Sequence, residues 1–281
     1  SVMMLKSLSK RLGHTVVMAM VLLPLTACGE TPRTHASTEA AVEKEKRANG
    51  PSVGAKGDSP IQSTLDKAKA NKLPVFVVVT ESGNTDTRAA KKIADDASAL
   101  VSPKPLVAVM QRDDKRNEEL VHKWGLAGAP LPVILCISPK GNVTGGFTRA
   151  NADAKRLAAA IPSPKYDDLY SSVTSRQAAF VIVGKSGDKS GVQKLRQLCA
   201  AVSKEMPGGV RVITVDANEK AEQKFIKDLS NGSAVGQTTV FVINAQGIPT
   251  GQFHTDATKL QLKNAATVVV SGSCCGGGGG C

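Results

Sequence analysis

The chain has 281 residues, of which 41% are hydrophobic and only 3% aromatic, and its formal net charge is +12. This length allows one or two globular domains. The positive charge is spread evenly: residues 60–164 carry 15 basic and 10 acidic side chains, and residues 165–270 carry 13 and 9. Because the excess forms no patch and is not interleaved with aromatic residues, we expect no nucleic-acid binding.

The first 27 residues have the organisation of a cleavable secretory signal. Three basic side chains precede an almost wholly apolar run at residues 15–25. That run is shorter than the ~20 residues that a membrane-spanning helix needs, and a short apolar run after a basic start is typical of a signal peptide. The segment ends in Leu-Thr-Ala-Cys, which resembles the lipobox of bacterial lipoproteins. The resemblance implies that residues 1–27 are removed and that the thiol of Cys28 carries a lipid.

The lipobox resemblance also implies a location in the bacterial cell envelope, with a membrane as the first partner. Gly29 follows Cys28 at the position where lipoproteins kept in the inner membrane often carry Asp. In a cell with two membranes we therefore expect the outer membrane, with the protein facing the periplasm. Removal of the signal deletes three of the 36 basic residues and no acidic residue, which leaves a net charge of +9.

Residues 28–59 are predicted to form a flexible tether. Their five basic and five acidic residues balance, and the segment is rich in Thr, Ala, Glu, Lys, Pro and Gly without an apolar period. Such a composition cannot bury a core. We therefore expect the folded part of the chain to begin near Ile61, where an apolar period appears.

Residues 60–164 alternate between helical and β patterns. The run Val75–Val79 is continuously apolar and mostly β-branched, which is typical of a strand buried on both faces. The remaining patterns predict helices over residues 88–100, 117–124 and 153–161 and strands over residues 106–110, 133–137 and 143–147. Alternating units that end in a hairpin predict an α/β fold with a mixed central sheet and helices on both faces.

A segment before the predicted hairpin resembles a motif of the thioredoxin-like superfamily. Residues 124–135 read W-G-L-A-G-A-P-L-P-V-I-L, which is similar to that family's aromatic-Gly-x-x-Gly-x-Pro segment. The resemblance covers residues 60–164. It implies a thioredoxin-like domain with a cis-proline beside the redox loop, where the adjacent backbone binds an extended peptide.

The second half of the chain repeats the first. The pattern G-x-x-T-G-x-F occurs at residues 141–147 and again 106 positions later, at residues 247–253. Ser-Gly-Asn at residues 82–84 matches Ser-Gly-Asp at residues 186–188, 104 positions later. Near-equal offsets at both ends of the unit indicate a duplication.

The duplication predicts two tandem thioredoxin-like domains joined at residues 162–164. In the second domain the patterns predict strands over residues 178–184 and 210–215 and from residue 239, and helices over residues 192–204 and 221–229. The whole chain then divides into a signal peptide (1–27), a tether (28–59), domain 1 (60–164), domain 2 (165–270) and a Gly/Cys-rich tail (271–281).

Two prolines are candidates for the implied cis-proline. Pro130 fits the spacing from the first glycine of the motif, whereas Pro132 lies nine residues before the turn glycine Gly141 and is favoured. The alternative is that Pro132 only begins a strand. Domain 2 has Thr238 nine residues before Gly247, so it lacks this proline.

The redox activity of the family needs two cysteines separated by two residues, just after the first core strand, where a helix start favours the thiolate. The corresponding loops are residues 80–87 and 185–191, and neither contains cysteine. This departure removes the nucleophile, so we predict no catalytic residue and no redox activity in either domain. An anion site at the helix start is one alternative. We expect these polar side chains to cap the helices instead: Asn84, Thr85, Asp86, Asp188 or Ser190.

The remaining cysteines divide into two groups. Cys136 and Cys199 lie in apolar surroundings and are expected to be buried core residues. The three others lie in the glycine-rich tail: Cys274, Cys275 and Cys281. Glycine gives this tail conformational freedom. Its thiols are candidates for Cu(I) or Zn(II) binding, for disulfide exchange or for an intermolecular disulfide, or they have no specific chemistry.

Two functions of different classes follow from the sequence. The leading prediction is a membrane-tethered, non-catalytic thioredoxin-like protein that binds other envelope proteins or peptides, with no cofactor in its domains. The alternative is a thiol-redox or soft-metal (Cu or Zn) handling protein that works through the tail cysteines. An enzyme of unrelated chemistry has no supporting set of residues in the sequence.

Overall fold

The structure, a computed structural model, describes residues 59–185 and 187–270, which form two four-stranded sheets. The predicted signal peptide, Cys28, the tether up to residue 58 and the tail cysteines lie outside these residues. Within the described ranges, no helix combines the length and the apolar character needed to cross a bilayer.

Domain 1 is built on a mixed sheet with the strand order β2-β1-β3-β4. Its strands are β1 (Val75–Thr80), β2 (Leu106–Gln111), β3 (Val133–Ile137) and β4 (Val143–Thr148), and its helices are α1 (Gln62–Ala70), α2 (Thr87–Ala99), α3 (Glu118–Lys123) and α4 (Ala154–Ala159). Strand β1 runs parallel to β2 and antiparallel to β3. All of β1 is buried because α2 and α4 cover one face of the sheet and α1 and α3 cover the other.

Domain 2 repeats this arrangement with the strand order β6-β5-β7-β8. Its strands are β5 (Ala179–Gly184), β6 (Arg211–Asp216), β7 (Thr239–Ile243) and β8 (Pro249–Phe253), and its helices are α5 (Pro164–Thr174), α6 (Lys189–Glu205), α7 (Gln223–Leu229) and α8 (Lys259–Thr267). Strand β5 pairs in parallel with β6 and antiparallel with β7, and helices again cover both faces. The predicted α/β class with two similar mixed sheets is therefore confirmed.

The repeated G-x-x-T-G-x-F hairpin attaches the closing helix of each domain to its sheet. In domain 1, Gly141 adopts a φ of +86°, a turn conformation that favours glycine. The Thr144 hydroxyl donates to the Ala160 carbonyl at 2.9 Å. A Cβ on Gly145 would lie 2.8 Å from the Phe147 ring, so glycine is needed for this close packing. The second hairpin repeats the set with Gly247, Thr250, Ala265, Gly251 and Phe253.

In each domain, the serine before the first helix is hydrogen-bonded to a buried polar side chain. The Ser59 hydroxyl donates to Asn117 Oδ1 at 2.6 Å, before α1. At the matching point before α5, Ser163 donates its hydroxyl to Glu222, and the Lys165 N–H donates to the same carboxylate at 2.9 Å. Both acceptors are almost fully buried. The Ser-Pro pair at residues 59–60 and 163–164 is thus part of the duplicated framework.

Helix α5 also carries the contact between the domains. The buried Asp167 carboxylate accepts from the Lys140 N–H at 3.1 Å and from Asn142 Nδ2 at 2.7 Å, both in the β3–β4 turn of domain 1. Burial raises the pKa of Asp168, but its ion pairs with Lys140 and Arg211 outweigh burial and hold that pKa below its ordinary value. The two domains are therefore joined by polar contacts as well as by the chain.

Candidate functional site

The candidate site of domain 1 lies where the chain leaves β1, at the position of the cysteine-free loop. We call it loop site 1: residues 81–87, Arg112 and residues 126–132. The Ser82 N–H donates to Asp113 Oδ2 at 3.1 Å, and its hydroxyl donates to Gln111 Oε1 at 2.9 Å. These bonds fix the loop after β1 to the end of β2. The hydrogen bond from Ser82 lowers the pKa of Asp113.

Arg112 connects the two walls of loop site 1. Its Nε donates to Glu81 Oε1 at 2.8 Å, and its Nη1 donates to the carbonyls of Leu126 and Ala129 at 3.0 and 2.8 Å. The side chain is only 19% exposed. One guanidinium therefore holds the loop after β1 against the segment that leads into β3. No sequence pattern indicates Arg112 as a site residue, because a single arginine after a strand carries no local signal.

The segment held by Arg112 ends at the predicted cis-proline. The peptide bond between Leu131 and Pro132 is cis, which agrees with the choice of Pro132 over Pro130. Within residues 59–185 and 187–270, neither the N–H nor the C=O of Leu131 makes a hydrogen bond. Leu131 is half-buried, and it belongs to the segment that Arg112 holds through the carbonyls of Leu126 and Ala129.

The start of α2 differs in part from the expected capping. Asp86 occupies the N-cap position, but its side chain accepts no hydrogen bond from the helix and instead pairs with Arg149. Asn84 holds the turn, because its Oδ1 accepts from the Asp86 N–H at 3.0 Å. The Thr87 hydroxyl donates to the Asn84 carbonyl at 2.9 Å. Of the alternative capping residues at this helix, Asp86 therefore does not cap with its side chain, because Arg149 pairs with that carboxylate.

In the corresponding site of domain 2, side chains bond to each other across the loop. We call it loop site 2: residues 185 and 187–191, Ala217 and residues 232–238. Asp188 caps α6 as predicted, accepting from the Gly191 N–H at 2.9 Å. Its second oxygen accepts from the hydroxyl of Thr238, the residue in the place of Pro132. The two hydrogen bonds, from Thr238 and Gly191, lower the pKa of Asp188.

Two further differences separate the sites. The Thr239 hydroxyl donates to the Gln237 carbonyl at 2.9 Å, so the carbonyl that matches that of Leu131 already accepts one hydrogen bond. Ala217 stands where domain 1 has Arg112, directly after the matching strand, and it borders a pocket of about 650 Å³. The pocket is also lined by Gly232 and Val235, which match Leu126 and Ala129 at the 106-residue offset.

Neither described cysteine can act at these sites. Cys136 in β3 and Cys199 in α6 are fully buried and unpaired with each other, which confirms their prediction as core residues. Burial raises the pKa of each thiol to about 12. A thiol with that pKa is almost wholly protonated at neutral pH and is a poor nucleophile. In the part of the chain that the structure covers, no group of three His, Cys, Asp or Glu residues is placed to hold a metal ion.

No family model and no curated protein matches the chain. Among solved structures, oxidized thioredoxin O2 from Arabidopsis thaliana is 17% identical, with a TM-score of 0.28 over 35% of this chain and 81% of that one. The first two thioredoxin domains of Eps1p from Naumovozyma dairenensis are 11% identical (TM-score 0.28, 79% of this chain, all of that one). The first two thioredoxin domains of Saccharomyces cerevisiae Eps1p are 9% identical, with a TM-score of 0.29 over 78% of this chain and 100% of that one.

These similarities concern the fold and are too low to assign an activity. The fold itself is defined by the strand order, the parallel and antiparallel pairing around the central strand, and helices on both faces, all present twice. The chain consists of two tandem α/β domains of one topology, which is the arrangement that the resemblance to the thioredoxin-like superfamily implies.

Proposed function

We propose that this protein is a non-catalytic, membrane-tethered pair of thioredoxin-like domains that binds extended segments of other envelope proteins at loop site 1. The observation that carries the proposal is the pair of unoccupied backbone groups on Leu131. Backbone N–H and C=O groups are obligatory hydrogen-bonding groups. An extended peptide satisfies such a pair through its own backbone, as in strand addition.

The contrast with domain 2 supports the choice of site. There, the Gln237 carbonyl is taken by Thr239, and Thr238 is tied to Asp188 across the loop. The Gln237 carbonyl therefore offers a peptide one free lone pair instead of two, and Thr238 is fixed against the loop. We therefore assign ligand binding to domain 1 and a supporting role to domain 2, which holds domain 1 through Asp167.

The absence of a redox reaction is supported by the sequence of both loops and by the burial of the described thiols. Disulfide exchange needs an accessible thiolate and a second thiol that resolves the mixed disulfide. Loop sites 1 and 2 contain neither. The tether belongs to the proposal through Leu-Thr-Ala-Cys28, which supports a lipid anchor. Gly29 after that cysteine supports an outer-membrane location facing the periplasm in a cell with two membranes.

A redox assay tests the non-catalytic part of the proposal. The protein used is a variant of residues 28–281 in which serine replaces Cys28 and the three tail cysteines. We expect this variant to reduce insulin disulfides no faster than a small-thiol control. Competent reduction would contradict the proposal, and Cys136 would then be the residue to re-examine.

A binding assay tests the proposed binding of extended segments. Fluorescein-labelled α-lactalbumin that has been reduced and carboxymethylated is permanently unfolded and offers extended segments. We expect its fluorescence anisotropy to rise in a saturable way with the same variant. The folded, disulfide-bonded form of α-lactalbumin is the matched control and should not bind. Equal binding of both forms, or of neither, would contradict the proposed function.

A further inference from the structure

We propose that Arg112 is the positioning residue of loop site 1, and that it holds residues 126–131 in the place where Leu131 meets a bound peptide. The proposal rests on the proposed function for its ligand, and on the contacts of one side chain for its geometry. Arg112 touches no peptide itself. It acts through the carbonyls of Leu126 and Ala129 and through Glu81.

The guanidinium suits this role because it offers several donors in a fixed plane. One edge of Arg112 binds the Glu81 carboxylate, and Nη1 reaches the two carbonyls on the opposite wall. Charge-assisted hydrogen bonds of this kind are stronger than neutral ones, and partial burial limits their screening by solvent. A lysine has the charge but a single nitrogen, so it cannot hold both walls with the same geometry.

Domain 2 shows that the fold does not need this arginine. The same strand, the same helix and the same turn form around Ala217, where a pocket of about 650 Å³ remains. The Gly232 N–H still donates to the Lys227 carbonyl at 2.7 Å, as the Leu126 N–H does to Val121 at 2.9 Å. Arg112 is therefore an addition to the shared framework, found in the domain whose Leu131 backbone is open.

The test uses three variants of the chain with serine at Cys28 and at the tail cysteines. Arg112→Met removes the donors, and Arg112→Lys keeps the charge. Arg116→Met is the matched control, because Arg116 is an exposed arginine that pairs with Asp114 close by in the chain. Two quantities are measured: hydrogen exchange of the Leu126 and Ala129 amides, and the affinity for unfolded, carboxymethylated α-lactalbumin.

We expect Arg112→Met to speed exchange at the Leu126 and Ala129 amides by at least about tenfold and to weaken probe binding by at least about tenfold, which is the value of a single charge-assisted hydrogen bond. Arg112→Lys should fall between this variant and the wild type. Exchange in domain 2, including the Gly232 amide, should not change. Arg116→Met should match the wild type in both measurements.

A purely structural role for Arg112 would speed exchange throughout domain 1, and that result would overturn the proposal. Unchanged exchange at Leu126 and Ala129 would also overturn it, whether or not the probe binds. If the wild type fails to bind the probe, the proposed function is refuted. The exchange result still decides separately whether Arg112 positions the segment, so the two failures are distinguishable.

Discussion

Domain 1 and domain 2 build the same sheet and the same hairpin, yet they close the loop after the central strand in different ways. In domain 1, Arg112 bridges the loop to the segment before Pro132 and leaves Leu131 open. In domain 2, the bridge runs directly from Asp188 to Thr238, without an arginine. Both solutions hold the same two segments together, but only the first leaves a backbone pair for a ligand.

The difference separates what the fold requires from what the site requires. The threonine that anchors the closing helix is present in both hairpins with nearly the same hydrogen bonds, at 2.9 Å and 2.7 Å. The residues around the two loops share little beyond the Ser-Gly pair. Framework residues are therefore duplicated, whereas the loop sites have diverged, as expected when function depends on a local site and not on the fold.

The largest expected effect comes from a charge in the central strands. Val77 and Val181 are fully buried at matching positions of β1 and β5. Val77→Asp and Val181→Asp each bury a carboxylate without a partner, and each should cost roughly 3–5 kcal/mol of unfolding free energy. Denaturant unfolding measures both. If only one of the two variants lowered the free energy of unfolding, the two sheets would not be equivalent.

A smaller effect is expected at the hairpin threonines. Thr144→Val and Thr250→Val each leave a carbonyl of the closing segment without its donor, and each should cost about 1–2 kcal/mol. Thr267→Val is the control, because that exposed hydroxyl bonds only within its own helix. Equal losses for the first two variants would show that the two hairpins anchor their closing helices equally. A loss for Thr267→Val as large as theirs would contradict the anchoring role.

Much of this framework could be predicted from the sequence. The continuous apolar runs located the strands, and the spaced hairpin motifs located the duplication. Helix α5 was not predicted, because Pro162-Ser163-Pro164 suggested only a joint, although proline is common at the first position of a helix. Helix α8 was also not among the predicted elements.

The loop sites could be predicted only in part. The lack of cysteine and the place of Pro132 follow from local spacing. The bridge from Arg112 to Glu81 spans 31 residues, and the one from Asp188 to Thr238 spans 50. Such pairs meet only after the sheet has formed, so no local pattern indicates them.

The smallest expected effect concerns the protonation of Asp188. Its pKa lies below the ordinary value because the Thr238 hydroxyl and the Gly191 N–H donate to the carboxylate. A lowered folded-state pKa stabilises the fold above the unfolded pKa of about 3.9, and this contribution disappears as the pH falls through the folded value. Thr238→Val should raise the pKa of Asp188 towards its ordinary value. An NMR titration of the carboxyl carbon that shows no change would contradict the bridge.

We assign ligand binding to domain 1, at the Leu131 backbone. An NMR titration of the isotope-labelled protein with unfolded, carboxymethylated α-lactalbumin tests this assignment residue by residue. We expect the Leu131 amide signal to shift in a saturable way, because its N–H gains a hydrogen bond, while the matching Gln237 amide stays unchanged. A shift at Gln237 of equal size, or no shift at Leu131 when the probe binds, would show that the Leu131 backbone is not the binding site.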